Sequence, residues 1–225
     1  MPILYLHGFA SSPQSAKLVA LQRVLGSSVD VHAPDMNVPS FEKLDFEAMI
    51  EHALNEAKRN PPKAIVGSSL GGVVALELVR RGVRAPLVLI APGVGIGERW
   101  TARLPKGDPV EVFNHARGAN AKIHRRFFED MKRVRPEETA PATAVTIFMG
   151  QNDETVPFAF VRDVWDEWSK SGKLVRGSKF VEIAGGDHGL VAYVDAIADA
   201  ILRVILSRGD VEGSRSDRRR LRGSE

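Results

Sequence analysis

No cysteine occurs in the 225 residues, and tyrosine appears only twice. The absence of cysteine excludes disulfides, a thiol nucleophile and thiolate metal sites. No apolar run approaches the roughly 20 residues that cross a bilayer. No basic leader with a cleavage site precedes Pro2-Ile3-Leu4-Tyr5-Leu6. A soluble, cytoplasmic protein without a membrane span is therefore expected. Aromatic residues make up 7% of the chain, and nowhere do they interleave with a basic stripe as in a nucleic-acid module. The net charge of +3 is concentrated at one end: residues 207–225 hold six arginines against four acids, leaving the body near neutral. That end reads as a charged, solvated and disordered tail, and no nucleic-acid partner is expected. There is no H-E-x-x-H and no spaced His/Asp cluster, so no metal is expected. Gly93-x-Gly95-x-Gly97 does not continue to a glycine three residues on, which argues against a nucleotide site; no cofactor is expected.

What is present is the composition of a globular chain, 44% hydrophobic and 26% charged. Short apolar, β-rich runs at 2–7, 29–33, 64–66, 86–91, 144–149 and 179–183 read as strands. Segments with helical apolar spacing at 12–25, 41–57, 70–81, 157–170 and 189–206 alternate with them. Several strands are apolar throughout rather than alternating, which a parallel sheet covered on both faces requires. Residues 1–206 read as one α/β domain without internal repeats. One segment breaks the rhythm, 93–141, where Glu111 to Val134 looks helical and Gly93 to Gly97 looks like a mobile hinge or loop. It leaves from the carboxyl edge of the sheet, where a lid would be inserted. A longer crossover with an extra surface helix is the alternative.

The chemistry centres on Gly67-Ser68-Ser69-Leu70-Gly71, which follows the apolar run 64–66 and opens the helix at 70–81. A strand, a G-x-S-x-G turn and a helix describe a nucleophile elbow, with Ser69 as the exposed hydroxyl and Gly67 and Gly71 relieving the crowded turn. Acyl transfer by a serine further needs a base, a group that orients it, and donors for an oxyanion. His188, in Gly185-Gly186-Asp187-His188-Gly189 after the last strand, is the base candidate. Asp153, after the strand at 144–149, is the orienting carboxylate, preferred over Glu154 and over Asp187, which adjoins the histidine and reads as a turn or cap residue. The backbone N–H of Leu70 and that of Phe9, in His7-Gly8-Phe9, are the oxyanion donors, with Gly8 allowing close approach and His7 bracing the loop.

Taken together, these motifs resemble the α/β-hydrolase superfamily, and within it the small YqiA/YcfP-like esterases. The likeness rests on Leu4-Tyr5-Leu6-His7-Gly8-Phe9 with Ser11-Ser12-Pro13 and Ser15-x-Lys17, joined to the serine motif, the acid loop and Gly-Gly-Asp-His-Gly. It implies an α/β-hydrolase fold: a six-stranded, mostly parallel sheet with helices on both faces and a short helical lid insertion. It also implies a serine esterase or thioesterase acting on a small-molecule acyl ester or thioester, with Ser69, Asp153 and His188 as triad and Phe9 and Leu70 as oxyanion donors. An acyltransferase or peptidase would share that triad, and a non-catalytic binding protein would share the scaffold. The segment 93–140 carries ten Lys/Arg against seven Asp/Glu. That surplus suits an anionic substrate such as a CoA thioester and equally a solvated face. Oligomeric state is left open by the residues.

Overall fold

The computed structural model describes the backbone of residues 2–220 and the side chains of residues 2–207. The chain begins β1 (Pro2–Leu6), α1 (Ala16–Leu25), β2 (Asp30–His32), α2 (Phe46–Arg59), β3 (Ala64–Ser68), α3 (Leu70–Arg80) and β4 (Leu87–Ile90). It continues α4 (Ile96–Arg103), β5 (Val110–Asn114), β6 (Ala119–Ile123) and α5 (Arg125–Met131). It closes with β7 (Val145–Gly150), α6 (Phe158–Lys170), β8 (Lys179–Ile183) and α7 (Val194–Arg220). The main sheet has six strands in the order β2-β1-β3-β4-β7-β8, every pair parallel. Strands β3 and β4 are buried along their whole length, which their unbroken apolar runs require.

The strand order reverses between β1 and β3. From β1 the chain steps outward to β2, then crosses back and moves the other way through β3, β4, β7 and β8. With right-handed crossovers, helices of oppositely running units fall on opposite faces, so α1 packs with α7 while α2 packs with α3. The loops after β1 and β3 therefore splay apart at the carboxyl edge and leave a crevice between them.

Helix α2 starts where Asp45 accepts the Ala48 amide at 2.9 Å and ends before Pro61-Pro62. Helix α3 is buried from Leu70 to Val79, and its one carboxylate, Glu77, has a fully buried side chain. Arg80 and Arg81 donate to Glu77 at 2.6–2.7 Å, and Arg81 also reaches Glu47 and Glu51 on α2, tying the two helices together.

The segment between β4 and β7 departs from the expectation. Residues 111–134 do not form one helix: β5 and β6 make an antiparallel hairpin, and only Arg125–Met131 is helical. Alternation decided it, because Val110 pairs with Ile123 and both are buried, while the Asn114 carbonyl and side chain close the turn before Gly118, at φ +65°. The alanine and charged residues of this stretch favour helix in isolation, and tertiary burial of alternate residues overrides them. Residues 93–95 form a loop and turn, as one of the two expectations had it, and α4 begins at Ile96. Gly97 lies in the first turn of α4, packed against the end of α5, where a Cβ would lie 2.8 Å from the Lys132 amide nitrogen. Among the described residues, no helix is long and apolar enough to cross a membrane. Apart from Ser207, the charged tail expected over 207–225 lies outside the residues whose side chains are described.

Candidate active site

Ser69 stands between β3 and α3 with φ +53° and ψ −118°, a backbone conformation that costs a non-glycine residue strain. Three hydrogen bonds hold it there. Its amide donates to the Ile90 carbonyl at 3.0 Å, and its carbonyl accepts the Gly72 and Gly93 amides at 2.8 and 2.9 Å. The flanking glycines answer to close backbone approach: a Cβ on Gly71 would lie 2.0 Å from the Leu6 carbonyl oxygen, and one on Gly67 2.6 Å from that of Gly71. Gly8 faces Ser69 itself, with an added Cβ 3.1 Å from that of the serine.

The loops after β7 and β8 are joined by the Asn152 amide, which donates to the Gly186 carbonyl at 3.0 Å. That junction brings Asp153 and His188 together. His188 Nδ1 lies 2.8 Å from Asp153 Oδ2, and His188 Nε2 lies 3.1 Å from Ser69 Oγ. The Asp153 side chain is fully buried, and its Oδ1 accepts the Thr155 and Val156 amides at 2.9 and 2.7 Å, so both oxygens are engaged. An imidazole protonated at Nδ1 can donate to this carboxylate while Nε2 accepts from the serine hydroxyl. The rivals lie elsewhere: Glu154 is exposed, and Asp187 accepts the Leu190 amide at 2.8 Å as a turn residue.

Leu70 is the first residue of α3, so its N–H has no intrahelical acceptor. Phe9 follows Gly8 in the loop after β1, across the crevice from Ser69, and both line the same cleft. His7 is buried; its Nδ1 lies 2.9 Å from the Gly8 carbonyl and its Nε2 accepts the Met36 amide at 2.9 Å. Burial holds its pKa below the ordinary imidazole range, against the raising influence of the Gly8 carbonyl and Asp35. A neutral ring with both nitrogens engaged suits a brace for the loop.

The cleft measures about 250 Å³, at the small end for ligand pockets. Phe9 and Trp100 line it with aromatic surface, while Tyr5, Ser15, Lys17 and Ser68 form a polar wall. Tyr5 is pushed up to about 12 by burial, despite hydrogen bonds with Ser68 and Ser15, so it stays a neutral phenol. A wider groove of about 1130 Å³ between β7, β8 and α7 lies away from these groups. Among the described residues, no group of three or more His, Cys, Asp or Glu is placed to hold a metal.

A model of the uncharacterised protein family UPF0227 matches residues 2–199. The chain belongs to that family. Similar folds occur in Est1E of Butyrivibrio proteoclasticus, solved with ferulic acid bound, at 19% identity and a TM-score of 0.71 over 91% of this chain and 89% of that one. Alpha/beta hydrolase domain-containing protein 10 from mouse matches at 20% identity and 0.70 over 92% and 90%. The monoacylglycerol lipase of Paleococcus ferrophilus matches at 15% and 0.68 over 92% and 94%. These likenesses establish the α/β-hydrolase fold for this UPF0227 member, in agreement with the resemblance its motifs carry.

In this UPF0227 chain, reasoning from sequence missed one charged residue in the cleft. Lys17 was a letter in a motif, whereas its ammonium donates to Ser68 Oγ at 2.8 Å. A signal was available: Lys17 shares the buried face of α1 with Leu18, Leu21 and Leu25, where a lysine is out of place. His115, from the β5–β6 turn, also reaches the cleft, because the Ala116 amide donates to the Ala10 carbonyl at 3.1 Å. No local pattern announces that contact.

Proposed function

We propose that this protein is a serine hydrolase that cleaves carboxylic esters or thioesters through an acyl-enzyme. The observation that carries the reading is the line Ser69 Oγ, His188, Asp153, at 3.1 and 2.8 Å, ending in a fully buried carboxylate. His188 accepts the Ser69 proton as Oγ attacks the carbonyl carbon, and the carbonyl oxygen takes negative charge between the Phe9 and Leu70 amides. The protonated imidazole, held by Asp153, returns the proton to the leaving alcohol or thiol. Water then enters, gives a proton to His188, attacks the acyl carbon, and Ser69 leaves with that proton. The dipole at the start of α3 supports the oxyanion. The similar fold of a monoacylglycerol lipase favours ester substrates here as well. Residues 93–141 form the lid of a domain spanning 1–206, and Trp100 and His115 are their contribution to the cleft.

A fluorophosphonate probe tests the reading. The folded wild-type protein is expected to label at Ser69, and Ser69→Ala to lose the label. An unlabelled wild type, or labelling at another residue, overturns it.

A further inference from the structure

Among the residues lining the cleft beside Ser69, Lys17 is the sole lysine, arginine or carboxylate. It is 9% exposed, and one of its three ammonium donors goes to Ser68 Oγ, on the residue before Ser69. Among the described residues it forms no ion pair. The nearby carboxylates are committed elsewhere, Asp153 to His188 and two backbone amides, Asp187 to the Leu190 amide. Asp153 and Asp187 act on this buried ammonium only at a distance, without a direct ion pair, and a leucine or methionine on the buried face of α1 would avoid the cost of burying the charge. The charge is therefore placed where something negative can reach it. The opposite side of the cleft, Phe9 and Trp100, offers no second charge.

We propose that Lys17 is a specificity residue whose ammonium binds a carboxylate carried by the ester substrate. The proposal rests on Ser69 as the nucleophile. The substrate class is then a short ester bearing one anionic group, on its acyl part or on its alcohol part. Burial holds the Lys17 ammonium down to about 8, against the raising fields of Asp153 and Asp187, so it is charged near neutrality and loses its proton in mild alkali. The other titratable groups around the cleft are Tyr5, His7, His115, Asp153, Asp187 and His188.

The experiment compares kcat/KM for three esters of similar size: monoethyl succinate, with its carboxylate on the acyl part; butyryloxyacetate, with its carboxylate on the alcohol; and neutral ethyl butyrate. Wild-type protein is expected to prefer one of the two anionic esters, and which one identifies the side that Lys17 serves. A hydrogen bond to a charged group corresponds to roughly a tenfold to hundredfold effect, so Lys17→Met should reduce the charged-to-neutral ratio by that factor. In the wild type the same ratio should fall as pH rises from 7 to 9.5, a measurement that needs no variant to fold. Equal losses on all three esters in Lys17→Met, or a wild type without preference, overturn the proposal. If no ester turns over and Ser69 takes no fluorophosphonate label, it is the hydrolase reading that fails. Calorimetric titration of Ser69→Ala with monoethyl succinate, butyryloxyacetate and ethyl butyrate then reads Lys17 directly, and equal binding of all three, or none, overturns its role.

Discussion

The Trp100 ring lies 4.9 Å from the Phe9 ring, centroid to centroid, at an interplanar angle of 66°. Phe9 belongs to the loop after β1, and Trp100 to α4 in the segment between β4 and β7. Phe127 and Phe128 of α5 complete the cluster, each 5.8 Å from Phe9. The inserted segment is thus anchored on Phe9, which lines the cleft, and its packing helps set the shape of the cleft.

Replacing Trp100 by alanine should open room for longer acyl chains. Each buried methylene contributes about 0.8 kcal/mol, roughly a fourfold factor. The ratio of kcat/KM for p-nitrophenyl hexanoate over butyrate is expected to rise by up to about that factor per methylene. A ratio that stays constant would place the acyl chain away from Trp100.

Asp153→Asn keeps an oxygen for the Thr155 and Val156 amides but turns an amide NH₂ toward His188 Nδ1. The imidazole is then driven to the tautomer with its proton on Nε2, which cannot accept from Ser69. The expected fall in kcat on p-nitrophenyl butyrate is on the order of 10³- to 10⁴-fold, with the thermal midpoint little changed. A variant keeping a tenth of the activity would contradict this use of Asp153.

Gly71→Ala places a methyl group 2.0 Å from the Leu6 carbonyl oxygen, which is backbone and has nowhere to go. A loss on the order of 3 kcal/mol or failure to fold is expected. Gly172→Ala is the control, with open space around it but φ +66°, and should cost only about 1 kcal/mol in urea melts. Equal effects at the two sites would rule out crowding as the reason for Gly71.

Burial alone would raise the Glu77 carboxyl, but hydrogen bonds from Arg80 and Arg81 outweigh it and hold its pKa below the ordinary carboxylate range. The carboxylate therefore adds stability above the unfolded value, near 4.3, and that stability is lost as pH falls through the lower folded value. Glu77→Gln is expected to cost about 1.5–3 kcal/mol at neutral pH. The gap between the two melting curves should close as pH drops from 5 toward 3. A gap independent of pH would mean the side chain acts through packing.

Local patterns made the sheet framework legible, because the central strands β1, β3, β4 and β7 are short, mostly apolar runs buried nearly throughout. Ser69 was legible for a related reason: a turn this tight admits only glycine at 67 and 71, a steric demand confined to a few residues. Asp153 and His188 were placed by their positions after strands, since parallel strands bring every such loop to one edge. The hairpin at 110–123 was not legible as such, because its alternation is short and its alanines and charges carry helical propensity. Its state was decided by burial of Val110 and Ile123 against the rest of the molecule.

The order of apolar runs and glycines in the sequence thus determined a parallel α/β sheet and a serine at its carboxyl edge, since both follow from periodicity and short-range sterics. The tertiary structure alone decided that the Lys17 ammonium meets Ser68, and that Trp100 and His115 enter the same cleft. Those contacts join residues far apart in the chain, through the packing of α1 and of the inserted segment, and no local pattern encodes such a distance.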